Sequence, residues 1–158
     1  VSSQLEKLVN KNSNITIIKE KAENVQISEY LNFNEDFLFI DTSHTVRPMG
    51  DVDFIYNRLL PKVNNCIIHI HDIFFPYLYQ SNLKENPWYQ WSETQLLYCY
   101  LTNNIKSKII LDTSELFHNK KEVFTKIFPN VKLAKFEKGL RIDKDKDRYF
   151  PASIYLEQ

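Results

Sequence analysis

The chain has 158 residues, enough for one domain with a buried core. Apolar residues make up 43% and charged residues 25%, which is typical of a globular protein and argues against a disordered one, and no apolar run is long enough to cross a bilayer. Twenty basic and twenty acidic residues cancel, so no overall positive field would attract nucleic acid or a membrane, and a small molecule is the expected partner.

The two cysteines carry no metal or redox signal. Cys66 opens a predicted strand and Cys99 lies in a predicted apolar helix, and neither belongs to a C-x-x-C pair. We interpret both as buried free thiols, which favours a reducing, cytoplasmic location.

The first 31 residues predict three short elements. Serines at the start can cap a helix over residues 2–10. Three isoleucines predict a strand over residues 15–19, and a turn or short helix is expected over residues 25–31.

The segment that follows predicts a βαβ unit. Two apolar strands, 37–41 (FLFID) and 66–71 (CIIHIH), flank a helical stripe over residues 51–60 that Pro61 stops. A crossover of this kind makes the two strands parallel and right-handed. Their carboxyl ends therefore open at one edge of the sheet, where ligands of open α/β sheets collect.

The second half of the chain predicts a loop, two helices and two more strands. The loop is long and aromatic, the first helix opens on a Ser-Glu-Thr-Gln pattern that resembles a capping box, and the second helix is stopped by a proline. In order, the elements are loop 77–87, helix 92–102, strand 108–112, helix 114–128 and strand 152–156.

An acid ends each strand of the βαβ unit. Asp41 closes the first strand and Asp72 the second. Neighbouring strands lie about 4.8 Å apart, so the two carboxylates can share an ion, a ligand or a substrate hydroxyl. The alternative for Asp41 is an acid that only caps the following turn.

His71 precedes the second acid and has two plausible roles. An imidazole is a poor ligand for magnesium and a good one for zinc, iron or manganese. It is equally suited to act as a general base that deprotonates a substrate hydroxyl.

The H-x-H spacing on this strand suggests a different class of enzyme. His69 and His71 point to one face of a strand, an arrangement used by metal-dependent hydrolases together with an acid such as Asp72. Further ligands would be needed, and His44 and Asp41 are the nearest candidates. The alternative for His69, which we favour, is a core histidine bonded to the backbone.

The other two histidines lie outside the predicted strands. His44 follows the first strand, where it either reaches the cleft or remains a surface residue of the turn. His118 is followed by lysines in a predicted helix, so we expect it to be exposed to solvent.

Three motifs together suggest a family. The runs FIDTSHTVRPMGDVDFIYNRLLPKV, IHIHDIFFPY and WYQWSETQLL resemble the second half of a class I S-adenosylmethionine-dependent methyltransferase. They are most similar to a bacterial subgroup with FIDSSH-type and HDIFFP-type strand ends and a WNEQYLL-type helix. The resemblance spans residues 15–156 and implies a Rossmann-like α/β sheet, mostly parallel, with an antiparallel last strand.

The resemblance also implies roles for the residues at the strand ends. Asp41, Thr42 and His44 would face S-adenosyl-L-methionine, while Asp41, His71 and Asp72 would align and deprotonate an oxygen or nitrogen of a small-molecule acceptor. In metal-assisted members of the family, acids at these strand ends hold a divalent cation, which makes Asp41, His71 and Asp72 the expected metal ligands here.

Aromatic residues beyond the second acid are the expected acceptor contacts. They are Phe75, Tyr77, Trp88 and Trp91. Such residues usually pack in a core or an interface. The resemblance implies instead a lid beside the cleft that stacks on a planar or sugar-like acceptor.

One part of the family pattern is missing. Members begin with a strand, a glycine-rich turn and a second strand that ends on an acid, whereas this sequence has two glycines, Gly50 and Gly139, and neither follows a strand. The resemblance therefore implies that the first βαβ unit is absent, either because the chain is a fragment or because the protein is truncated. We expect this 158-residue chain to bind S-adenosyl-L-methionine poorly or not at all and to have no methyltransferase activity by itself.

Loss of that unit would leave strand 37–41 with an unpaired edge. We expect strand 15–19 to fill the gap, or a second copy of the chain to form a homodimer through the exposed edge. A scaffold without catalytic activity, which binds a partner through its aromatic loop, is the third functional alternative after the methyltransferase and the hydrolase.

Overall fold

The computed structural model describes residues 14–30, 36–77, 91–137, 140–141 and 151–158. The predicted helix 2–10, most of loop 77–87 and Trp88 lie outside these ranges. The strands are β1 (Phe37–Ile40), β2 (Ile67–His71), β3 (Lys108–Asp112), β4 (Phe136–Glu137), β5 (Leu140–Arg141) and β6 (Ser153–Glu157). The helices are α1 (Asp51–Phe54), α2 (Glu93–Leu101), α3 (Thr113–Asn119) and α4 (Lys121–Ile127). Short 3-10 turns cover Ala22–Asn24 and Ile27–Glu29, the second within the predicted turn.

The main sheet has four strands in the order β1-β2-β6-β3. β1 and β2 are parallel, from Phe37 opposite Ile67 to Ile40 opposite Ile70, as the βαβ pattern predicts. β6 lies between β2 and β3 and is antiparallel to both. One neighbouring pair is thus parallel and two are antiparallel, while three of the four strands run in the same direction. The predicted α/β fold and the antiparallel last strand, β6, are confirmed, and the described sheet is mixed where a mostly parallel one was predicted.

The crossover helix is continuous but not uniformly α-helical. α1 continues as a π-helical turn, Ile55–Leu59, and ends in a 3-10 turn, Leu60–Lys62, that contains Pro61. Its inward residues are buried and recur at helical spacing: Val52, Ile55, Tyr56, Leu59 and Leu60.

One face of the sheet and two helices enclose the core. Alternate residues of β2 and β6 are buried, as expected for strands with one face inward. Leu97 on α2 packs against them, together with the inward residues of the crossover helix; the strand members are Ile40, Ile68, Ile70, Ile154 and Leu156. Burying each such side chain contributes about 1.5 to 3 kcal/mol, so this layer holds the strand ends in place.

The opposite face of the sheet carries exposed aromatic residues near its β1 edge. Phe37 and Phe39 are 54% and 53% exposed. His69 stacks on Tyr155 with ring centroids 4.2 Å apart and contacts Phe39 edge-on at 4.9 Å. Within the described ranges β1 has one neighbour, β2, and its other side is an edge.

The predicted strand 15–19 is not formed. Residues 15–19 have no regular structure, and Ile15 and Ile18 are 43% and 41% exposed. The isoleucines favour an extended chain, but a strand also needs a partner for its backbone groups and a surface to pack on. The proposal that this segment fills the gap beside β1 is therefore wrong; pairing with a second copy stays a prediction.

The predicted helix 114–128 is two helices that meet at Lys120. The backbone of Lys120 leaves the helical region (φ −140°, ψ 53°); its N–H bonds Leu116 O, and its carbonyl accepts from Val123 and Phe124. The bend brings Phe117 and Phe124 edge to face at 5.5 Å, and both are buried. Tertiary packing therefore overrides a continuous helical pattern.

Two predictions of exposure are wrong. Cys99 is exposed, because the buried positions of α2 are Glu93, Thr94 and Leu97 on the other side of the helix. His118 is half-buried, with its ring against Phe117 at 5.2 Å and Tyr77 at 4.9 Å. Cys66 is buried as predicted. In the described part of the chain, no helix has the length and apolar character needed to cross a bilayer.

Candidate functional site

The ends of β1 and β2 bring two acids to one histidine. His44 Nε2 lies 3.3 Å from Asp41 Oδ1 and 3.6 Å from Asp72 Oδ2. Parallel pairing of β1 and β2 places both acids at the same sheet edge. The structure thus brings the predicted residues together, but the group between them is His44. We call Asp41, His44, His71 and Asp72 the acid–histidine cluster.

Local backbone turns orient the side chains of His44 and Asp72. His44 and Asp72 both have φ of 56°, in the left-handed region that ordinary residues seldom adopt. The Asp72 N–H bonds the carbonyl of Ala152, the residue before β6. The His44 carbonyl accepts from the N–H groups of Ser92 and Glu93, so the loop after β1 is held against the first turn of α2.

Glu93 bonds the second ring nitrogen of His44, Nδ1. Its carboxylate is 1% exposed and lies 2.8 Å from His44 Nδ1. It also accepts bonds from the hydroxyls of Thr42 (2.6 Å) and Tyr56 (3.1 Å). A buried carboxylate is costly unless it is bonded in this way. Glu93 therefore fixes the orientation of the His44 ring.

Glu93 was not predicted from the sequence as a site residue. The Ser-Glu-Thr-Gln pattern predicted a capping box, but the Ser92 hydroxyl makes no capping bond to α2 and accepts instead from Val46 N–H at 3.0 Å. The available signal was the acid in the WSETQLL run, in the motif that carries the family resemblance. Its neighbour Trp91 contacts the His44 ring at 4.5 Å.

The electrostatics of the cluster favour a protonated His44. Burial opposes its charge, but the bond that His44 donates to Glu93 and the charges of Glu93, Asp72 and Asp41 together outweigh burial and raise the pKa of His44. Burial raises the pKa of Asp72, helped by Asp41 and Glu93 and opposed by His71 and His44. Burial and Glu93 likewise raise the pKa of Tyr56 well above its ordinary value.

His71 lies at the edge of the cluster. Its side chain is 44% exposed, and Nδ1 lies 3.4 Å from Asp72 Oδ1 and 3.7 Å from Asp41 Oδ1. Neither approach has hydrogen-bond geometry, and Nδ1 is a buried atom without such a bond. This ring is therefore near both carboxylates yet not fixed by them.

The H-x-H pair does not form a compact group with the acids. His69 is stacked among aromatic rings, its Nε2 makes no hydrogen bond, and burial lowers its pKa, with a smaller effect from His71. The backbone bond expected for a core histidine is not made by Nε2. Among the described residues, no group of three His, Cys, Asp or Glu side chains is arranged to hold a metal ion. Metal binding by Asp41, His71 and Asp72 stays a prediction.

A charged cleft opens beside Asp41. It has a volume of about 650 Å³ and is lined by Lys21, Glu23, Asp41, Thr42, Arg47 and Asp51. The Ser43 N–H and hydroxyl both donate to Asp51 at 2.7 Å; burial favours the neutral acid, but these bonds and the amides that begin α1 outweigh it and lower the pKa of Asp51. The cleft therefore presents charges of both signs next to the cluster.

The predicted acceptor aromatics do not form one surface. Trp91 lies between His44 and Phe74, beside the cluster. Phe75 contacts Tyr98, and Tyr77 contacts His118. Trp88 lies outside the described residues. Of the described residues in the predicted set, Trp91 alone contacts a member of the cluster.

No protein-family model matches the chain, and neither a curated protein nor a solved structure matches it significantly. Any functional assignment therefore depends on the residues and their geometry.

Proposed function

We propose that this chain is part of an S-adenosylmethionine-dependent methyltransferase that acts on an oxygen or nitrogen of a small molecule. The observation that carries the proposal is the meeting of Asp41, His44 and Asp72 at the carboxyl ends of two adjacent parallel strands, beside the charged cleft. This is the edge at which α/β sheets bind their ligands. The motif resemblance and the antiparallel last strand, β6, support the same family.

The charged cleft suits the cofactor in size and charge. Its volume of about 650 Å³ falls in the usual range for cofactor sites, about 300 to 1,000 Å³. S-adenosyl-L-methionine carries an ammonium, a carboxylate and a sulfonium, and the cleft offers Lys21 and Arg47 as well as carboxylates. Asp41 and Thr42 would line its binding site.

His44 has a positioning role in this proposal. Its ring is buried, with acids on both nitrogens, so it is not free to touch a ligand through either one. A protonated His44 attracts Asp41 and Asp72 and keeps two like charges close together at the sheet edge. Glu93 holds the ring in that orientation.

The remaining chemistry is alignment and proton removal. When bound, S-adenosyl-L-methionine supplies a methyl carbon to which the acceptor bonds as the carbon–sulfur bond breaks and its electron pair stays on sulfur. Catalysis then depends on holding the acceptor in line. His71, which is half-exposed, takes the acceptor proton, and the Asp72 carboxylate 3.4 Å from Nδ1 stabilises the imidazolium that forms.

The cofactor assignment is tested by amide chemical shifts of the labelled 158-residue chain during titration with S-adenosyl-L-methionine. We expect shifts confined to the lining of the charged cleft, at residues 21–23 and 41–55. The affinity should be no tighter than the millimolar range, about −4 kcal/mol, because the described residues offer no glycine-rich turn for the methionine portion of the cofactor.

Matched variants complete the test. Asp41→Asn should reduce the shifts, whereas Glu122→Gln, which removes an exposed acid on α4, should not. Shifts elsewhere in the chain, or an Asp41→Asn response equal to that of Glu122→Gln, would contradict the assignment. Micromolar binding would contradict the expected weakness.

A further inference from the structure

A second cavity lies on the other side of the acid–histidine cluster. It has a volume of about 210 Å³ and lies at the carboxyl edge of the sheet, between β6 and the α3–α4 pair. We call it the apolar pocket. Its lining includes His71, Thr113, Phe124, Phe128, Leu133 and Tyr155.

The apolar pocket and the charged cleft have opposite character. The described lining of the pocket contains no lysine, arginine, aspartate or glutamate. The Thr113 hydroxyl is already engaged with the Ser153 backbone, donating to the carbonyl and accepting from the N–H. Apart from His71, whose Nδ1 lies near the Asp41 and Asp72 carboxylates, no described lining side chain offers a charge, so a charged ligand would lose its hydration there with little compensation. A neutral ligand is therefore favoured.

The size of the pocket limits what it can hold. A dry cavity of about 150 Å³ accepts benzene, and sites for drug-sized ligands begin at about 300 Å³. A volume of about 210 Å³ lies between these values, so it fits one ring with a small substituent. The rings of Phe124, Phe128 and Tyr155 suit a planar ligand.

His71 is the member of the acid–histidine cluster that also lines the apolar pocket. Its ring lines the pocket, while its Nδ1 lies 3.7 Å from Asp41 Oδ1, a residue that lines the charged cleft. The two cavities are thus joined through two side chains. A group placed in the pocket against His71 would lie close to whatever occupies the cleft beside Asp41.

We propose that the apolar pocket binds the methyl acceptor, and that the acceptor is a neutral, single-ring compound whose hydroxyl or amino group faces His71. This inference rests on the proposed methyltransferase function and names its substrate class. It moves the acceptor site away from Phe75 and Tyr77, which contact other parts of the chain.

Phenol is the probe that tests the pocket, with benzoate and glucose as charged and polar controls. In amide-shift titrations of the full chain, phenol should perturb the pocket backbone around Thr113, Phe124 and Ser153, and benzoate and glucose should not. These measurements need no cofactor. Equal responses to phenol and benzoate, or phenol shifts outside the pocket, would overturn the inference.

Two matched valine-to-phenylalanine substitutions localise the binding. Val131 lines the pocket and is 40% exposed, and Val123 is 43% exposed on α4 outside the lining. Val131→Phe should fill the space and weaken phenol binding about tenfold or more, whereas Val123→Phe should leave it unchanged. Matching thermal transitions would show that both variants fold. Equal phenol affinity of the two variants would overturn the inference.

The outcome separates the two proposals. Phenol binding in the apolar pocket with cofactor-induced shifts outside the charged cleft would support the pocket and contradict the methyltransferase. A cofactor response without phenol binding would support the methyltransferase and overturn the acceptor class proposed here.

Discussion

At the scale of single residues, Glu93 is the side chain on which the geometry of the cluster depends. It is the buried partner of three donors, from Thr42, His44 and Tyr56. Replacement by glutamine keeps the shape and one acceptor oxygen but removes the charge. The variant therefore tests the charge together with the loss of one acceptor oxygen, since the amide nitrogen of glutamine cannot accept from the donors that bond Glu93.

We expect Glu93→Gln to lower the pKa of His44 and to destabilise the chain by about 1 to 3 kcal/mol, because a charged acceptor is lost from buried bonds. The His44 pKa can be followed by NMR of its ring protons, and stability by denaturant unfolding. Glu122→Gln on the exposed face of α4 is the matched control. An unchanged His44 pKa in Glu93→Gln would show that Glu93 does not set the charge of the ring.

The raised pKa of His44 also makes stability depend on pH. The folded chain binds the His44 proton more tightly than the unfolded chain, whose histidines titrate near pH 6.5. The resulting stabilisation is fully present below about pH 6.5 and is lost as pH rises through the higher folded value. Unfolding of the native chain and of His44→Gln across this window should show a smaller decline in the variant. Parallel curves would contradict the assignment.

At the scale of elements, the junction between β3 and α3 contains a second group whose shifted pKa makes stability depend on pH. The group is an acid, and its pKa is raised by burial. Asp112 ends β3 and caps α3 by accepting from Glu115 N–H at 3.0 Å. Burial raises its pKa to about 6 despite the capping bonds. Because the folded chain disfavours the ionised acid, stability falls as pH rises from about 3.8 to about 6.

We expect Asp112→Asn to keep the cap, to remove this loss and to be more stable than the native chain at pH 7 by about 1 kcal/mol after solvent screening. Asp112→Ala should lose the cap and be about 1 kcal/mol less stable than Asp112→Asn. Urea unfolding at acidic and neutral pH measures both. A native chain whose stability is flat over this pH window would contradict the raised pKa.

The elements that the sequence predicted are those whose signal is local. Strands 37–41, 66–71 and 108–112 were located within one residue, because apolar alternation and terminal acids define them. The prediction of a strand at 15–19 was wrong because a strand needs a partner for its backbone groups, and no local pattern shows whether that partner is present. The break at Lys120 likewise follows from the contact between two phenylalanines.

In the candidate site as well, the residues with a local signal were predicted from the sequence, and the contacts between distant residues were not. Asp41 and Asp72 were identified because the topology of a βαβ unit determines where strands end. Glu93 was missed because a single sequence does not reveal which residue of a helix faces a loop 49 positions away. The position of His44 between the acids depends on a left-handed backbone conformation that the local sequence, Thr-Ser-His-Thr, does not predict.

At the scale of the whole molecule, the β1 edge is where we expect a second copy to bind. β1 is an edge strand among the described residues, and the face beside it exposes Phe37, Phe39 and Ile67. Exposed apolar edges attract other strands. A homodimer through this edge would bury both the backbone groups and the aromatic face.

Sedimentation across a range of concentrations tests the dimer. We expect a concentration-dependent dimer for the native chain and a monomer for Phe37→Lys, because a lysine on an edge opposes pairing. Tyr30→Lys, at an exposed aromatic residue outside the sheet, should still dimerise. A native chain that stays monomeric throughout would contradict the prediction.

The left-handed backbone of His44 and Asp72 has a consequence for how this molecule can change over time. Each such residue costs about 1 kcal/mol relative to glycine in the same turn, a cost that the bonds made by the cluster have to offset. Replacement of either residue with glycine would relieve that backbone cost but remove a side chain of the cluster, and at position 44 it would also remove the donor that bonds the buried Glu93 carboxylate. Over evolutionary time the backbone of these two turns therefore favours glycine, while the bonds of the cluster favour histidine and aspartate.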